Sequence, residues 1–355
     1  MVNFTPGPSQ LYFTVPDHIK KAFRDGIPSL SHRSKQFENI FAETTQGLKN
    51  LLNVPDEYFI VFTGSATEIW ERVIQNLVAE KSFHLVNGSF SKRFFEIAQQ
   101  LNKTPEKIEV PAGSSFTNAT VPSGTEVIAL THNETSFGVS LQIPFINSFK
   151  ASNPESIIVV DAVSSLPYPD FDYTKIDSAF FSVQKGFGLP AGLGVWMLNK
   201  RCLEKAQHLL SGGHSIGSYH SLPLLCGSAL KNQTPETPNV LGIYLLGKVV
   251  NDFLQKGAVA IRQETQYKAA LLYKALEEHS FIKPFVTQKA DRSKTVIVAN
   301  TGERTEELAT YLQARGFFPG DGYGDARKSQ LRFANFPAHS KEQFESLADL
   351  ISNFK

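Results

Sequence analysis

Short apolar segments alternate with longer amphipathic segments from Tyr58 to Leu198, and this alternation constrains the fold more than any other feature of the chain. The segments Tyr58–Phe62, Ser156–Val160 and Ser178–Val183 have the length and apolar composition of buried strands. Between such runs, the chain carries apolar residues at helical spacing, as it does over residues 68–79. Strands that alternate with helices predict an α/β fold with a mainly parallel sheet that is covered on both faces.

The pattern changes after Thr237, which predicts a second and smaller domain beginning near residue 250. Two long helical segments, Val240–Gln255 and Ala258–His279, precede a mixture of short strands and helices. A chain of 355 residues is long enough for one large domain and a smaller one. We expect a large domain over residues 16–250, and a smaller α+β domain made of residues 1–15 and 251–355.

Composition and charge exclude several classes of function. The net charge is +1, so bulk electrostatics favour neither nucleic acid nor an anionic membrane as a partner. The two cysteines, Cys202 and Cys226, are expected to be buried free thiols in a reducing compartment. The N-terminal residues do not resemble a signal peptide, and no apolar run is long enough to span a membrane. We expect a cytoplasmic protein with no metal site.

Lys185 ends a predicted buried strand and is followed by a loop rich in glycine and proline, GFGLPAGLG. Open α/β sheets bind ligands at the carboxyl ends of their strands. Burial lowers the pKa of an amine, because the charged form loses its water. Lys185 is therefore a candidate for the lysine that forms a Schiff base with pyridoxal phosphate. The alternative is a strand-ending lysine that simply reaches water.

Asp161 ends a run of four apolar residues and lies 24 residues before Lys185, which leaves room for one crossover to a neighbouring strand. A carboxylate beside a pyridine nitrogen keeps that nitrogen protonated, and a protonated ring is the better electron sink. The alternative for Asp161 is a turn or helix-capping aspartate.

Small residues open a helix directly after the strand Tyr58–Phe62, at Ser65 and Ala66. The first turn of a helix presents free N–H groups and a positive dipole, and both favour phosphate. Gln184, next to Lys185, could donate to the same phosphate. A simple serine N-cap is the alternative explanation for Ser65.

Two further residues follow predicted strands at the same edge of the sheet. Phe90 could stack on an aromatic cofactor, although a core phenylalanine is the alternative in a chain with 28 of them. Thr135 could donate to a ring hydroxyl or a phosphate, or else cap a loop.

Seven segments match one known family, in order and with compatible spacing. They are NFTPGP at 3–8, SHRSKQF at 31–37, TGSAT at 63–67, HNETSFG at 132–138, VVDAVSS at 159–165, SVQKGFGLPAG at 182–192 and QTPETPNVLGIY at 233–244. On these motifs the chain resembles the class V aminotransferases of PLP fold type I, and among them most closely the phosphoserine aminotransferases. Each motif alone is weak, but the set spans most of the chain.

The resemblance implies a fold-type-I transferase whose large domain, residues 16–250, binds pyridoxal 5'-phosphate. It implies that Lys185 binds the cofactor covalently, that Asp161 meets the pyridine nitrogen, and that Phe90 stacks on the ring. The phosphate contacts that it implies are Ser65, Ala66 and Gln184 of the same chain, with Gln233 and Thr234 of a partner subunit. The family has asparagine where this chain has Gln233, which keeps an amide donor. An active site completed by a second subunit implies a homodimer.

The same resemblance assigns the substrate contacts. Arg332 matches the arginine that pairs with the substrate α-carboxylate, and a guanidinium suits bidentate carboxylate binding. His32 and Arg33 match a partner-subunit pair that contacts the substrate phosphate. The chain departs from the phosphoserine pattern at Thr67, where the family has arginine, and at residues 324–327, where Arg327 or Lys328 could replace a missing His-Arg pair.

The sequence therefore predicts a PLP-dependent aminotransferase that acts on an amino acid and a 2-oxo acid. The preferred reaction, by resemblance, is the transfer of an amino group between O-phosphoserine and 2-oxoglutarate in serine biosynthesis. Another class V reaction, such as alanine–glyoxylate or serine–pyruvate transamination, is the enzymatic alternative. A catalytically degenerate protein with this fold is the other alternative, and the presence of both Lys185 and Asp161 argues against it.

Overall fold

A computed structural model describes residues 1–355 and contains fourteen strands and eleven α-helices. The strands are β1 (Val2–Phe4), β2 (Phe59–Thr63), β3 (Lys81–Val86), β4 (Thr104–Glu109), β5 (Val127–Thr131), β6 (Asn133–Glu134), β7 (Val139–Ser140), β8 (Ile157–Asp161), β9 (Ser178–Ser182), β10 (Gly194–Leu198), β11 (Lys283–Pro284), β12 (Val296–Asn300), β13 (Phe317–Asp321) and β14 (Gln330–Ala334).

The helices cover the segments between these strands and the C-terminal end of the chain. They are α1 (Val15–Arg24), α2 (Lys35–Leu52), α3 (Ala66–Leu77), α4 (Ser89–Gln100), α5 (Ile143–Ser152), α6 (Lys200–Ser211), α7 (Leu222–Ala229), α8 (Val240–Lys256), α9 (Ala258–Glu278), α10 (Thr305–Gln313) and α11 (Lys341–Ser352). No helix is long and apolar enough to cross a membrane.

The larger sheet has seven strands in the order β2-β10-β9-β8-β5-β3-β4. Strand β10 runs antiparallel to both of its neighbours, β2 and β9, and every other pair is parallel. The prediction of a mainly parallel sheet is confirmed. Strands β8 and β9 are neighbours, and the register sets Asp161 opposite Phe180. The parallel strands therefore deliver the ends of β8 and β9, and with them Asp161 and the segment leading to Lys185, to one edge of the sheet.

Alternate residues of the central strands pack into two separate apolar cores, one on each face of the sheet. In β8, Ile158 and Val160 belong to a core of 45 residues that includes α2 and α8. Ile157 and Val159 belong to a core of 25 residues that includes α3 and α6. Because side chains alternate along a strand, Asp161 projects toward the second face, on which α3 lies.

The smaller sheet has five strands in the order β1-β13-β14-β12-β11. Strand β1 pairs with β13, so the first residues of the chain join strands that follow residue 283. Helices α9 and α11 and the sheet enclose a third core. Residue 250 lies inside α8, whose buried residues pack into the core of the larger sheet. The division at residues 15/16 and 250/251 stays a prediction.

The six strands and helices whose ranges the sequence predicts all occur within two residues of their expected bounds. The apolar pattern predicts no element at helices α5, α6 and α7. Helix α7, LPLLCGSA, has eight residues that include proline, glycine and serine, so its helical periodicity is weak. Helix α5, IPFINSFKAS, contains isoleucine and phenylalanine, which favour strands when packing is ignored.

Candidate active site

A cavity of about 230 Å³ lies at the carboxyl edge of the larger sheet. Seven residues that the sequence singled out line it together: Ser65, Ala66, Phe90, Thr135, Asp161, Gln184 and Lys185. The groove between α2 and α8 is larger, about 650 Å³, but contains none of these groups. The smaller cavity is therefore the candidate active site, because it brings together chemically complementary side chains from distant parts of the chain.

Lys185 lies in the turn that follows β9 and is 9% exposed. Its ammonium nitrogen lies 5.5 Å from the centroid of the Phe90 ring. Burial lowers the pKa of Lys185, and the attraction of Asp161 raises it. Burial is the larger effect, and the resulting pKa is about 8. A buried amine with this pKa is partly unprotonated at neutral pH and can act as a nucleophile or a base.

Asp161, at the end of β8, is 3% exposed and has one donor on each carboxylate oxygen. The Val163 N–H donates to Oδ1 at 2.9 Å, and the Trp70 indole N–H donates to Oδ2 at 2.8 Å. Burial raises the pKa of Asp161, and these two hydrogen bonds lower it. Burial is the larger effect, and the resulting pKa is about 6. The carboxylate is thus fixed in orientation inside the cavity.

Helix α3 begins at the cavity, as the small residues after β2 predicted. Ser65 is its N-cap, and its Oγ accepts from the Glu68 N–H at 3.1 Å. The Ala66 N–H donates to Ser182 Oγ at 2.9 Å, while the N–H groups of Ser65 and Thr67 donate to no acceptor in the chain. These free donors and the helix dipole suit an anion. Gln184 adds a side chain whose Oε1 is buried without a partner.

Phe90 and Thr135 are held in place by polar groups around them. Glu134 accepts from the Phe90 N–H at 3.3 Å and so fixes the first turn of α4, which carries the phenylalanine. Thr135 Oγ1 donates to Ser164 Oγ at 2.7 Å, and the Asn133 amide donates to the same oxygen at 2.8 Å. The segment Asn133–Thr135 and the loop after β8 are thereby joined at the cavity wall.

Arg332, in β14 of the smaller sheet, lies next to the cavity. Its Nη1 donates to the Thr135 carbonyl at 3.3 Å, and its Nε donates to the Asp321 carbonyl at 2.7 Å. The guanidinium lies 5.4 Å from the centroid of Tyr323, which itself lies 5.1 Å from that of Phe90. Arg327 is exposed, and its Nε donates to Asp321 Oδ2 at 2.9 Å. Arg332 is the better placed cation, because Arg327 is already paired.

The remaining predicted residues, His32, Arg33, Gln233 and Thr234, do not line the cavity and form a second cluster. The Arg33 guanidinium donates to the Gln233 Oε1 at 2.9 Å, to the Thr234 carbonyl at 2.9 Å and to the Pro235 carbonyl at 3.2 Å. Burial and the charge of Arg33 lower the pKa of His32. These are the four residues that the resemblance assigned to a partner subunit.

An ionic contact lies beside the helix α3 N-terminus and connects it to the second cluster. Glu68 accepts from the Gly64 N–H at 2.9 Å and pairs with His220 Nδ1. His220 Nε2 lies 3.2 Å from Glu236 Oε2, and the Thr234 hydroxyl donates to the Glu236 carbonyl at 2.7 Å. Burial alone would lower the pKa of His220, but the adjacent carboxylates of Glu236 and Glu68 outweigh it and raise the pKa to about 9.

Comparison with known proteins agrees with this geometry. The family model "Aminotransferase class-V" matches residues 1–318. The chain is 29% identical to a protein named phosphoserine aminotransferase from Rhodococcus opacus, over 98% of this chain and 93% of the relative. It is 51% identical to a phosphoserine aminotransferase of known structure from Cytophaga hutchinsonii, with a TM-score of 0.97 and coverage of 99% and 98%.

A third comparison concerns the fold alone. The PLP-bound phosphoserine aminotransferase from Trichomonas vaginalis is 18% identical, with a TM-score of 0.83 and coverage of 99% of both chains. Since the family model covers most of the chain, the chain belongs to the class V aminotransferase family. It is a transaminase with the fold-type-I architecture, and it depends on pyridoxal phosphate.

The residues of the cavity fit this cofactor. Free N–H groups at the start of α3 suit its phosphate, and Gln184, which lines the same cavity, adds a side-chain NH2 donor. The face of Phe90 suits its ring, the Asp161 carboxylate suits its pyridine nitrogen, and the Lys185 amine suits its aldehyde.

Trp70 and Tyr323 are among the residues at the site that the sequence did not indicate. Trp70 lines the cavity and bonds to Asp161, from which it is 91 positions away. Its only sequence signal is its position one helical turn after Ala66, which places it on the same face of α3. Tyr323 lies between Phe90 and Arg332, and nothing in its sequence context pointed to the site.

Proposed function

We propose that this enzyme transfers the amino group between O-phosphoserine and 2-oxoglutarate, as a step in serine biosynthesis. The observation that carries the proposal is the convergence of Lys185, Asp161, Phe90 and the α3 N-terminus on one cavity beside Arg332. The relative at 51% identity is named for phosphoserine, which supports this substrate. The amino acid and 2-oxo acid substrates themselves follow from the family.

Each residue has a defined role in this proposal. When bound, pyridoxal phosphate supplies a conjugated ring that accepts the electron pair left at the substrate Cα. Lys185 holds the cofactor and then, as a free amine, would carry a proton from the substrate Cα to the cofactor C4′. Asp161 holds a proton at the ring nitrogen. Phe90 covers one face of the ring. The centroid of its ring lies 5.5 Å from the Lys185 nitrogen, so the two side chains are close enough to contact the same cofactor.

The cofactor phosphate is held, in this proposal, by Ser65 and Ala66 at the α3 N-terminus and by Gln184. Thr135 donates to the ring hydroxyl or to the phosphate, and to do so its hydroxyl turns away from Ser164 Oγ. Arg332 binds the substrate α-carboxylate by a bidentate ion pair. Its existing bonds go to backbone carbonyls, so its charge is not neutralised by a carboxylate of the chain. Arg327 is the weaker candidate for a substrate contact, because it is paired with Asp321.

We further propose a homodimer in which the second cluster completes the site of the other subunit. Gln233 and Thr234 would reach the cofactor phosphate, and His32 and Arg33 the substrate phosphate. The support is that all four residues are gathered in one place outside the cavity of their own chain. Two of the five Arg33 donor hydrogens remain free of bonds within the chain, which leaves them for a phosphate.

The buried free thiols Cys202 and Cys226 suit a reducing compartment, and we propose that the enzyme acts in the cytoplasm. We also propose that residues 16–250 form the large domain and that residues 1–15 and 251–355 form the small one. Limited proteolysis can test this division.

A second candidate is transamination of a small unphosphorylated donor, such as alanine or serine with glyoxylate or pyruvate. Thr67 stands where the phosphoserine pattern has arginine, and Arg327 is exposed and paired. The loss of two charge-assisted contacts would weaken binding of a phosphate dianion by about 2–4 kcal/mol. This departure is the one observation that favours the second candidate.

The two candidates are separated by single-turnover spectra of the cofactor-loaded enzyme with phosphoserine, serine and alanine in parallel. We expect phosphoserine to convert the bound cofactor to its amino form fastest, at the lowest concentration. Faster conversion by alanine or serine would overturn the phosphoserine proposal and support the second candidate. No conversion by any amino acid would argue for the degenerate protein.

A further inference from the structure

Helix α3 contacts the candidate site at two points that are one helical turn apart. At its start, residues 65–67 line the cavity that suits the phosphate, and the N–H groups of Ser65 and Thr67 have no acceptor in the chain. At Trp70, the indole N–H donates to Asp161 Oδ2 at 2.8 Å. Residues i and i+4 of a helix lie on one face, so a single rigid element fixes both the phosphate end and the carboxylate end of the site.

Trp70 itself is firmly held. It is 5% exposed, and its ring stacks on Phe94 of α4 with centroids 5.8 Å apart and planes 19° apart. An indole N–H is a donor only, and Asp161 is its single acceptor in the chain. The donor therefore favours the ionised carboxylate and orients it, while the Val163 N–H holds the other oxygen.

The carboxylate keeps accepting capacity that the chain does not use. An ionised carboxylate offers about four lone-pair sites, and the chain occupies two of them. The charged groups nearest to Asp161 are Lys185, of opposite sign, and Glu134, of the same sign. With Trp70 and Val163 in place, the carboxylate cannot rotate without breaking a buried hydrogen bond.

We propose that Trp70 is a positioning residue that holds the Asp161 carboxylate in the orientation required by the cofactor ring nitrogen, so that α3 sets the distance between the phosphate and ring ends of the site. This inference rests on the proposed function of Asp161. Trp70 would then affect the reaction through Asp161, without touching the substrate.

The first test measures cofactor affinity in Trp70→Phe, which removes the N–H but keeps an aromatic ring for stacking on Phe94. Because Trp70→Phe loses a hydrogen bond to a charged acceptor, we expect pyridoxal phosphate to bind about tenfold more weakly, with a correspondingly larger dissociation constant. The acid limb of the kcat/KM profile should also move to higher pH, because Asp161 loses a donor that favours its ionised form.

The matched control is Trp196→Phe. Trp196 is the only other tryptophan, it is fully buried, and its N–H donates to Ser178 Oγ at 2.8 Å without lining the cavity. This variant loses an equivalent bond, so it should be less stable but should keep the cofactor affinity and pH profile of the wild type. Equal changes in both variants would overturn the positioning role.

A double-mutant cycle with Asp161→Asn tests whether Trp70 acts through the carboxylate. The tenfold loss of affinity in Trp70→Phe should shrink to less than threefold when Asp161 is already asparagine. An undiminished loss in that background would show that Trp70 acts through packing alone and would overturn the proposal.

A further measurement needs no substitution of Trp70 and covers the case in which Trp70→Phe does not fold. The ¹H–¹⁵N spectrum of the chain has two indole signals, and Trp196→Phe assigns them. The Trp70 signal should shift when pyridoxal phosphate is added and in Asp161→Asn. A Trp70 signal unchanged in both cases would overturn the inference even if the enzyme is an active transaminase. Absence of transamination, with both shifts present, would instead count against the proposed function.

Discussion

At the scale of single residues, burial sets the charge states of the two central groups. It lowers the pKa of Lys185 to about 8 and raises the pKa of Asp161 to about 6, and each group partly offsets the shift of the other. Both pKa values are thus closer to 7 than the usual values of a lysine and an aspartate, as expected for a buried base and a buried acid at one site. With a pKa of about 8, the free Lys185 amine is partly unprotonated near neutral pH and can act as a base.

Arg33 is the residue that best distinguishes a phosphorylated donor from an unphosphorylated one. We expect Arg33→Ala to raise KM for phosphoserine about tenfold and KM for alanine much less, because only the phosphate uses this cation. Arg33 also donates to the carbonyls of Thr234 and Pro235, so its loss should weaken cofactor binding. That effect should be the same whether phosphoserine or alanine is the donor.

Steady-state kinetics with saturating cofactor separate these two effects. Arg315→Ala is the control, since Arg315 is an exposed arginine that bonds only to the Tyr311 carbonyl. Equal KM changes for phosphoserine and alanine in Arg33→Ala would remove the phosphate role and would favour a small unphosphorylated donor.

At the scale of secondary-structure elements, strand β10 lies against the turn that forms the phosphate site. A Cβ on Gly194 would lie 2.5 Å from Thr63 Oγ1 and 2.6 Å from the Ser65 carbonyl carbon. The second of these atoms is backbone and cannot move without displacing the start of α3. Close packing of β10 therefore shapes the anion site, although Gly194 does not line it.

We predict that Gly194→Ala weakens pyridoxal phosphate binding at least tenfold, because it displaces Ser65 from the α3 N-cap. Equilibrium titration of the cofactor measures this. Gly227→Ala is the control, since a Cβ there meets nothing within 4 Å and Gly227 lies inside α7. That variant should bind normally and be slightly more stable. Unchanged affinity in Gly194→Ala would show that the turn tolerates the extra methyl group.

The ionic contact of His220 with Glu68 and Glu236 gives a pH-dependent contribution to stability. The folded pKa of His220, about 9, lies above its unfolded value of about 6.5. The contribution is therefore fully present below about pH 6.5 and is lost as the pH rises through about 9. One charge-assisted hydrogen bond between the buried His220 and the partly exposed Glu68 contributes about 1–2 kcal/mol.

His220→Gln should accordingly be less stable than the wild type at pH 6 and nearly equal to it at pH 10. Urea unfolding at the two pH values measures the difference. His214→Gln is the control, because His214 is exposed in the turn after α6 and contacts neither carboxylate. A deficit in His220→Gln that stays constant from pH 6 to pH 10 would contradict the ionic account.

The sequence predicted the elements of the large sheet well because short apolar runs that end in a charged residue are distinctive. The strands before Asp161 and Lys185 are of this kind, and both residues occupy the expected edge. The hydrogen bond of Trp70 to Asp161 could not be predicted, because it joins residues 91 positions apart on different elements. The placement of Tyr323 between Phe90 and Arg332 likewise depends on how the smaller sheet packs against the larger one.

At the scale of the whole molecule, the candidate site lies where the smaller sheet packs against the larger one, and the proposed homodimer would use the second cluster. Bonds from Arg332 to the Thr135 carbonyl and from Thr295 to the Ser164 carbonyl hold the smaller sheet against the cavity wall. The four residues His32, Arg33, Gln233 and Thr234 are outside that wall. If they complete another subunit's site, a single chain has no complete site of its own.

Mixing two inactive variants tests this arrangement. Lys185→Ala and a second chain carrying Arg33→Ala with Thr234→Ala should each have little activity. Mixed dimers would contain one site with Lys185 from one chain and the intact second cluster from the other, so activity should return to about a quarter of the wild-type value at full exchange. No recovery, with mixed dimers shown by mass spectrometry, would contradict the shared site.

The most direct test of the account locates the cofactor on the chain. The enzyme loaded with pyridoxal phosphate is reduced with borohydride, digested with trypsin and analysed by mass spectrometry. The account predicts that the label is on Lys185, and that the blocked lysine joins residues 176–185 and 186–200 in one peptide of residues 176–200. A label on another lysine, or an unlabelled peptide ending at Lys185 in fully loaded enzyme, would contradict it.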